Sequence, residues 1–174
     1  MENEFLNLIR TRRSCRRYKT EQVDDQLLEE VLKAGTYAPT GHGSQAPFIV
    51  AVQNAEQRAV LTRMNAEVMG VTSDPYYGAP TIVLVFAPAD YANAFQDGSC
   101  VLENMMLAAH AVGLASCWIN REHQMFATEE GRQLMKQWGL PDGLMGIGAL
   151  SLGYADGEPK EPKPRKEDYY RVIR

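Results

Sequence analysis

Residues 96–113 read QDGSCVLENMMLAAHAVG, and they run almost directly into ASCWI at 115–119. After its first two turns this stretch has almost no polar face. Val101, Leu102, Met105, Met106, Leu107, Ala108, Ala109 and Val112 surround the helix axis. A helix that is apolar nearly all round belongs in the middle of a domain or against a partner subunit. Gly113 supplies a helix stop, and ASCWI follows as a short apolar strand.

Working outward, FIVAV (48–52), TIVLVFA (81–87, introduced by Pro80) and GIGALSLGY (146–154) read as three further strands. Residues 2–10 predict a short amphipathic helix with Phe5, Leu6 and Ile9 on one side. Asp24 and Asp25 precede a helix through QLLEEVLKAG, where Gly35 is a plausible stop. Residues 55–68 and 127–137 carry helical patterns as well. Helices and strands therefore alternate without a regular series of strand–helix–strand repeats. That predicts an α+β fold, a central sheet covered by helices.

The chain has 174 residues, 45% of them hydrophobic, enough for a single domain (1–174) with a real core. No apolar stretch is long enough to span a membrane. The start, MENEFLNLIR, lacks the apolar run of a secretory signal. Cys15, Cys100 and Cys117 form no CxxC pair, which predicts reduced thiols and a cytoplasmic location. From Ala155 the chain turns to DGEPKEPKPRKED, too poor in apolar residues for its own core. Residues 155–174 are then either a loose tail or an arm lying across another surface.

Arg10, Arg12, Arg13, Arg16 and Arg17 crowd into RTRRSCRRY, although Asp+Glu (22) outnumber Lys+Arg (18) overall. Three readings fit this run: a solvated basic helix end, a nucleic-acid patch, or a grip on a phosphate-bearing cofactor or substrate. The acidic balance and the lack of a second basic stripe count against nucleic acid. Spacing does not separate the other two. APTGHGSQAP (38–47) is a loop in which Gly41 and Gly43 permit close backbone approach, while Thr40, Ser44 and Gln45 offer polar groups. An ordinary glycine-containing connection fits it equally. Neither GxGxxG nor GxxxxGK[ST] is present. His42, His110 and His123 lack metal-ligand spacing, and His110, inside the apolar helix, reads as a satisfied core residue. Cys117 with His42 or His123 could form a hydrolase pair, but any chain of this size offers such pairs.

Taken in order, RRSCRRY, APTGHGSQAP, DGSCVLENMMLAAHAVGLASCWI and GALSLGY followed by KPR resemble the nitroreductase family of flavoproteins along essentially the whole chain. The resemblance implies a mostly antiparallel sheet flanked by helices, with a C-terminal arm reaching the partner subunit of a homodimer. It implies FMN at the dimer interface, with NADH or NADPH as reductant. By resemblance Arg12, Arg13 and Ser14 grip the ribityl phosphate, joined by Lys163 and Arg165 of the arm. Arg16 sits by the pyrimidine end, where a cation stabilises the negative charge that reduction leaves near N1 and O2. Thr40, Gly41 and Gln45 approach the flavin from the other subunit, with His42 facing substrate, and Asn65 contacts the pyrimidine ring. Trp118, Ile119 and Asn120 line one flavin edge, a backbone N–H near Asn120 pointing at N5. Arg16 and Asn120 are thus the candidate catalytic residues, and Arg10 and Arg17 remain surface charge.

The function implied is ping-pong hydride passage from NAD(P)H through flavin N5 to a nitroaromatic, quinone or similar small acceptor. The alternatives are a non-catalytic flavin-delivery protein, or a same-fold enzyme acting on flavin or on halogenated aromatics. No nucleic-acid or membrane partner is implied. Many relatives carry asparagine where Gly43 stands and a tryptophan soon after the glutamine, where Ala46, Pro47 and Phe48 follow here. Substrate preference therefore does not carry over.

Overall fold

Every residue of the strand Thr81–Ala87 is buried, so both of its faces are covered. A strand in that position reads as a continuous apolar run rather than an alternating one. In the computed structural model, which describes residues 3–159 and 161–174, it lies inside one four-stranded sheet. The strands are β1 (Phe48–Val52), β2 (Thr81–Pro88), β3 (Ala115–Ile119) and β4 (Leu144–Gly153). Their order is β1-β2-β4-β3, and every pairing is antiparallel. The expected α+β class and antiparallel sheet are what the chain adopts.

Alternation along β2 divides the core in two. Val83, Val85 and Ala87 face a layer built from α2 (Asp25–Thr36) and α4 (Ala94–Ala111). Ile82, Leu84 and Phe86 face α3 (Ala55–Met69), α5 (Glu122–Ala127) and α6 (Glu129–Gln137). The apolar helix α4 therefore packs within its own domain, between the sheet and α2. Val101, Leu102, Met105, Met106 and Ala109 are buried there. Gly98 permits this close seat, since a Cβ at that position would lie 2.7 Å from Ile147 Cγ2. Gly113 follows α4 with φ 80°, as a helix stop requires.

Three differences from the sequence reading bear on packing. Gly35 does not end α2, which continues to Thr36. Its missing side chain serves packing, because a Cβ there would lie 2.8 Å from Ile49 Cδ1. The helix expected at 127–137 is only the second of two. Thr128 separates α5 from α6 and accepts the Gly131 N–H on its hydroxyl at 3.0 Å. Strand β4 starts at Leu144, because Leu144 and Met145 pair with Pro88 and Ala87. Helix α1 (Glu4–Thr11) is capped by Asn3, whose Oδ1 accepts from the Leu6 N–H. The expected start of that helix at residue 2 lies outside the described residues. Phe5, Leu6 and Ile9 on α1 are exposed.

Beyond β4 the chain first stays on the body. Lys19 N donates to Tyr154 O and Asp156 N to Arg17 O, at 2.9 and 3.0 Å. Residues 161–174 are exposed throughout and form neither helix nor strand.

Candidate active site

The arginine run leaves α1 and becomes an extended segment along the open edge of β3. Ser14 bridges Ser116 in parallel, and the Cys15 N–H donates to Ser116 O at 2.9 Å. Continuing that register brings Arg16 level with Trp118. Ser116 and Asn120 are four residues apart, about 13 Å of extended chain. The edge therefore has two ends.

At the first end lies a cavity of about 620 Å³, whose wall includes Arg12, Arg13, Ser14, His110 and Ser116. The Arg12 Nη1 is covered by protein yet has no hydrogen-bond partner. A buried guanidinium nitrogen left open is costly unless an acceptor completes it. Arg13 is partly committed elsewhere, its Nη1 donating to the Arg10 and Arg12 carbonyls at the end of α1, both at 2.7 Å. His110 is not a core residue. It is half-buried on the cavity wall, with Nε2 2.9 Å from the Thr11 hydroxyl. Burial lowers its pKa, and the charges of Arg12 and Arg13 lower it further. Asp156, also on the wall, is paired with Arg17 at 2.8 Å. An anion with several oxygens suits a wall that carries the Arg12 guanidinium and the exposed Ser14 together.

Arg16 lines the same cavity, and its guanidinium lies 5.9 Å from the ring centre of Tyr77. Its pKa is raised, first by that phenol and then by Cys117. Trp118 and Ile119 turn their side chains into the two cores, so only their backbone is offered at the edge. Asn120 is exposed, and its carbonyl accepts from Asn65 Nδ2 at 3.0 Å. Asn65 corrects the expectation of a ring contact. Its side chain is fully buried, and its amide also reaches Tyr76 Oη (3.2 Å) and Glu122 Oε1 (3.3 Å). Its Oδ1 accepts from Arg121 Nε at 2.8 Å. Asn65 thus holds the 120–121 turn from beneath. Glu122 accepts a further bond from Tyr76 Oη at 3.0 Å, while its Oε2 has no partner. Burial pushes the Glu122 carboxyl up to about 7.

The 38–47 loop sits elsewhere. The Gly41 N–H donates to both oxygens of buried Asp97, at 3.0 and 3.2 Å, and Tyr91 Oη donates to Asp97 Oδ2 at 2.7 Å. Ser44 Oγ bonds to Tyr91 Oη, and Gln45 N to Thr40 Oγ1. A Cβ on Gly41 would lie 2.3 Å from Asn93 Nδ2 and 2.7 Å from Tyr91 Oη, so a side chain there would displace both groups. His42 and Gln45 are exposed with φ of 56° and 49°. Asp97 and His110 are thirteen residues apart on α4, about 20 Å of helix. One protomer therefore does not bring Thr40, Gly41, His42 and Gln45 to the arginine cavity. Lys163 and Arg165 are exposed on the arm and do not line that cavity.

Sequence reasoning passed over Asp97, Tyr91, Tyr76, Arg121 and Glu122. Asp97 in the first turn of an apolar helix was a usable signal. Glu122, between an arginine and a histidine, looked like surface charge and gave none.

The nitroreductase family model matches residues 9–154. A relative from Archaeoglobus fulgidus, provisionally named an NADH dehydrogenase/NAD(P)H nitroreductase, is 31% identical over 97% of this chain and 91% of its own. Among solved structures, a nitroreductase with bound FMN from Bacteroides fragilis superposes with a TM-score of 0.92 at 31% identity, covering 99% of this chain and 100% of the other. One with bound FMN from Desulfitobacterium hafniense gives 0.89 at 27% identity, covering both chains fully. With a match over most of its length in family model, sequence and fold, this chain belongs to the nitroreductase family.

Proposed function

We propose that this protein is an FMN-dependent oxidoreductase that takes electrons from NADH or NADPH and reduces a nitroaromatic, quinone or similar small acceptor. The observation that carries the reading is the cavity of about 620 Å³ that Arg12, Ser14 and Arg16 line together along one strand edge, with the Arg12 Nη1 lacking a partner and the Arg16 guanidinium beside Tyr77. An anionic tail and a redox ring joined by a short chain suit that arrangement. The FMN bound by the relative from Bacteroides fragilis supports it.

Arg12, Arg13 and Ser14 would hold the phosphate, and Lys163 and Arg165 would close on it as the arm settles. Asn120 would offer its backbone N–H to N5, while Arg16 offsets negative charge at the pyrimidine end. Bound FMN supplies the two-electron chemistry, accepting a hydride at N5 and returning it to the acceptor. Nicotinamide and acceptor would take turns on one open face, oriented by the protein without an obligatory acid or base.

The protein acts as a homodimer in this proposal. Thr40, Gly41 and Gln45 come to the flavin from the second subunit, with His42 facing the acceptor. The apolar side chains left exposed support this: Phe5 and Ile9 on α1, and Tyr169, Tyr170, Val172 and Ile173 on the arm. Among the described residues no helix is long and apolar enough to cross a membrane. A cytoplasmic site, keeping the three free cysteines reduced, completes the proposal.

The direct test is a visible spectrum of the purified protein with FMN. A flavin band that bleaches with NADH or NADPH and returns with a quinone is expected. A colourless protein that takes up no FMN would sink the reading. Light scattering should give a dimer, and a flavin-loaded monomer would refute the shared site.

A further inference from the structure

Arg121 has a backbone that arginine rarely adopts, φ 90° and ψ 1°. Strained positions of this kind persist where the surroundings hold them, and they cluster where a ligand is met. The holding group is identifiable. Arg121 Nε donates to Asn65 Oδ1 at 2.8 Å, and Asn65 is itself fixed by Tyr76, the Asn120 carbonyl and Glu122. Pinned at Nε to a fully buried amide, the guanidinium keeps its two Nη groups for other partners. Among the described residues no hydrogen bond or ion pair engages them. The neighbouring Glu122 forms no hydrogen bond or ion pair with it and turns its bonded oxygen to Tyr76 and Asn65. Asn120, the adjoining residue, is exposed at the end of the edge assigned to the redox ring.

We propose that Arg121 is a specificity-determining residue that favours acceptors carrying a carboxylate or sulfonate, its paired Nη donors meeting the anion beside the Asn120 turn. This rests on the oxidoreductase reading above. The phosphate of NADPH shares the same anionic chemistry, and the test separates the two.

Flavin-loaded wild type, Arg121→Gln and Arg121→Gly are compared with menadione and with a naphthoquinone sulfonate. Binding of a non-reducible naphthalenesulfonate to the oxidised protein is followed by the flavin absorbance shift. Both variants should raise the ratio of KM for the sulfonated over the neutral quinone on the order of tenfold or more, and weaken naphthalenesulfonate binding by a similar factor. In Arg121→Gly the relief of the positive φ is opposed by the loss of the bond to buried Asn65 Oδ1, so melting alone does not report the role. An unchanged KM ratio with unchanged sulfonate binding would make Arg121 merely structural and overturn the proposal. A loss confined to NADPH over NADH would overturn it in favour of cofactor reading. If wild type reduces neither quinone, it is the oxidoreductase reading that fails, and sulfonate binding then decides the role of Arg121.

Discussion

Glu122→Gln removes the charge from the buried web beneath the Asn120–Arg121 turn while keeping the side chain's shape. The Glu122 carboxyl is fully covered and stands at about 7 against an ordinary value of 4.5, with burial the largest cause. At 1.36 kcal/mol per pH unit, that gap corresponds to about 3 kcal/mol favouring the neutral acid in the folded protein. A raised carboxyl stabilises the fold fully below 4.5 and loses that contribution as pH climbs through 7. Between pH 5 and pH 8 the wild type should therefore lose about 2–3 kcal/mol through this group, and the glutamine variant none. The variant bears a separate cost, since its amide N–H₂ occupies the place of Oε2, which has no partner. That cost is about 1–3 kcal/mol and does not depend on pH.

The two stability curves should accordingly converge as pH rises, with the variant clearly weaker at pH 5 and level or stronger at pH 8. Urea unfolding at four pH values and one fixed protein concentration measures this. Other titrating groups, His110 among them, cancel in the difference because they are common to both proteins. A constant offset between the curves from pH 5 to 8 would refute the reasoning, and would mean that Glu122 stays charged in the fold.

Four further substitutions probe the arginine run, the loop clamp and the seat of α4. Arg12→Gln should raise the FMN dissociation constant on the order of tenfold to a hundredfold by fluorescence titration. Arg17→Gln, which loses only an exposed ion pair with Asp156, should shift it far less. Equal effects would mean that the run acts as diffuse charge rather than through the unpartnered Arg12 Nη1. Asp97→Ala strips the acceptor from Gly41 N–H and Tyr91 Oη and should cost about 3 kcal/mol, with faster proteolytic cutting inside 38–47. An unchanged cleavage pattern would show that the loop does not depend on this clamp. Gly98→Ala pushes a methyl to 2.7 Å from Ile147 and should destabilise by about 1–3 kcal/mol in urea, whereas an unchanged midpoint would mean that α4 can ride up on β4 freely.

What the sequence made legible follows the range of the interactions involved. FIVAV and ASCWI are strands with the bounds their apolar runs imply, because a short apolar run bounded by turn residues marks a strand in composition even where, as at Phe48, the side chain stays exposed. The break at Thr128 was not legible. It depends on Gly131 packing against the backbone of Met125 and Phe126, where a Cβ would lie 2.3 Å from the Met125 carbonyl oxygen. Gly35 misled for a similar reason, since Ile49 and Met105, distant in sequence, are what demand its small size. In the site, the five clustered arginines left a solvated helix end, a nucleic-acid patch and a phosphate grip as open readings. The burial of Asn65 and Glu122 is set by α3, Tyr76 and α5 meeting, and no local pattern encodes that meeting.

The same contrast bears on how motifs spread along the chain would serve one site in the proposed homodimer. Helix α4 runs eighteen residues, with the clamped loop at its Asp97 end and the anion cavity at its His110 end. Within one protomer those ends cannot meet, because a helix is rigid on that scale. In the proposed homodimer, a two-fold axis near the middle of α4 would place the first end of one subunit beside the second end of its partner. Asp97 then matters to a site about 20 Å from itself in its own chain. Clamp and cavity need only keep their places on a common helix, and symmetry does the rest. On this account Asp97→Ala weakens FMN binding although Asp97 is remote from the arginines of its own chain. Mixing Asp97→Ala subunits with Arg12→Gln subunits should then restore one intact site in each heterodimer. Flavin titration of the mixture should recover up to half of the tight sites in those heterodimers, and no recovery would place the loop and the cavity in separate sites.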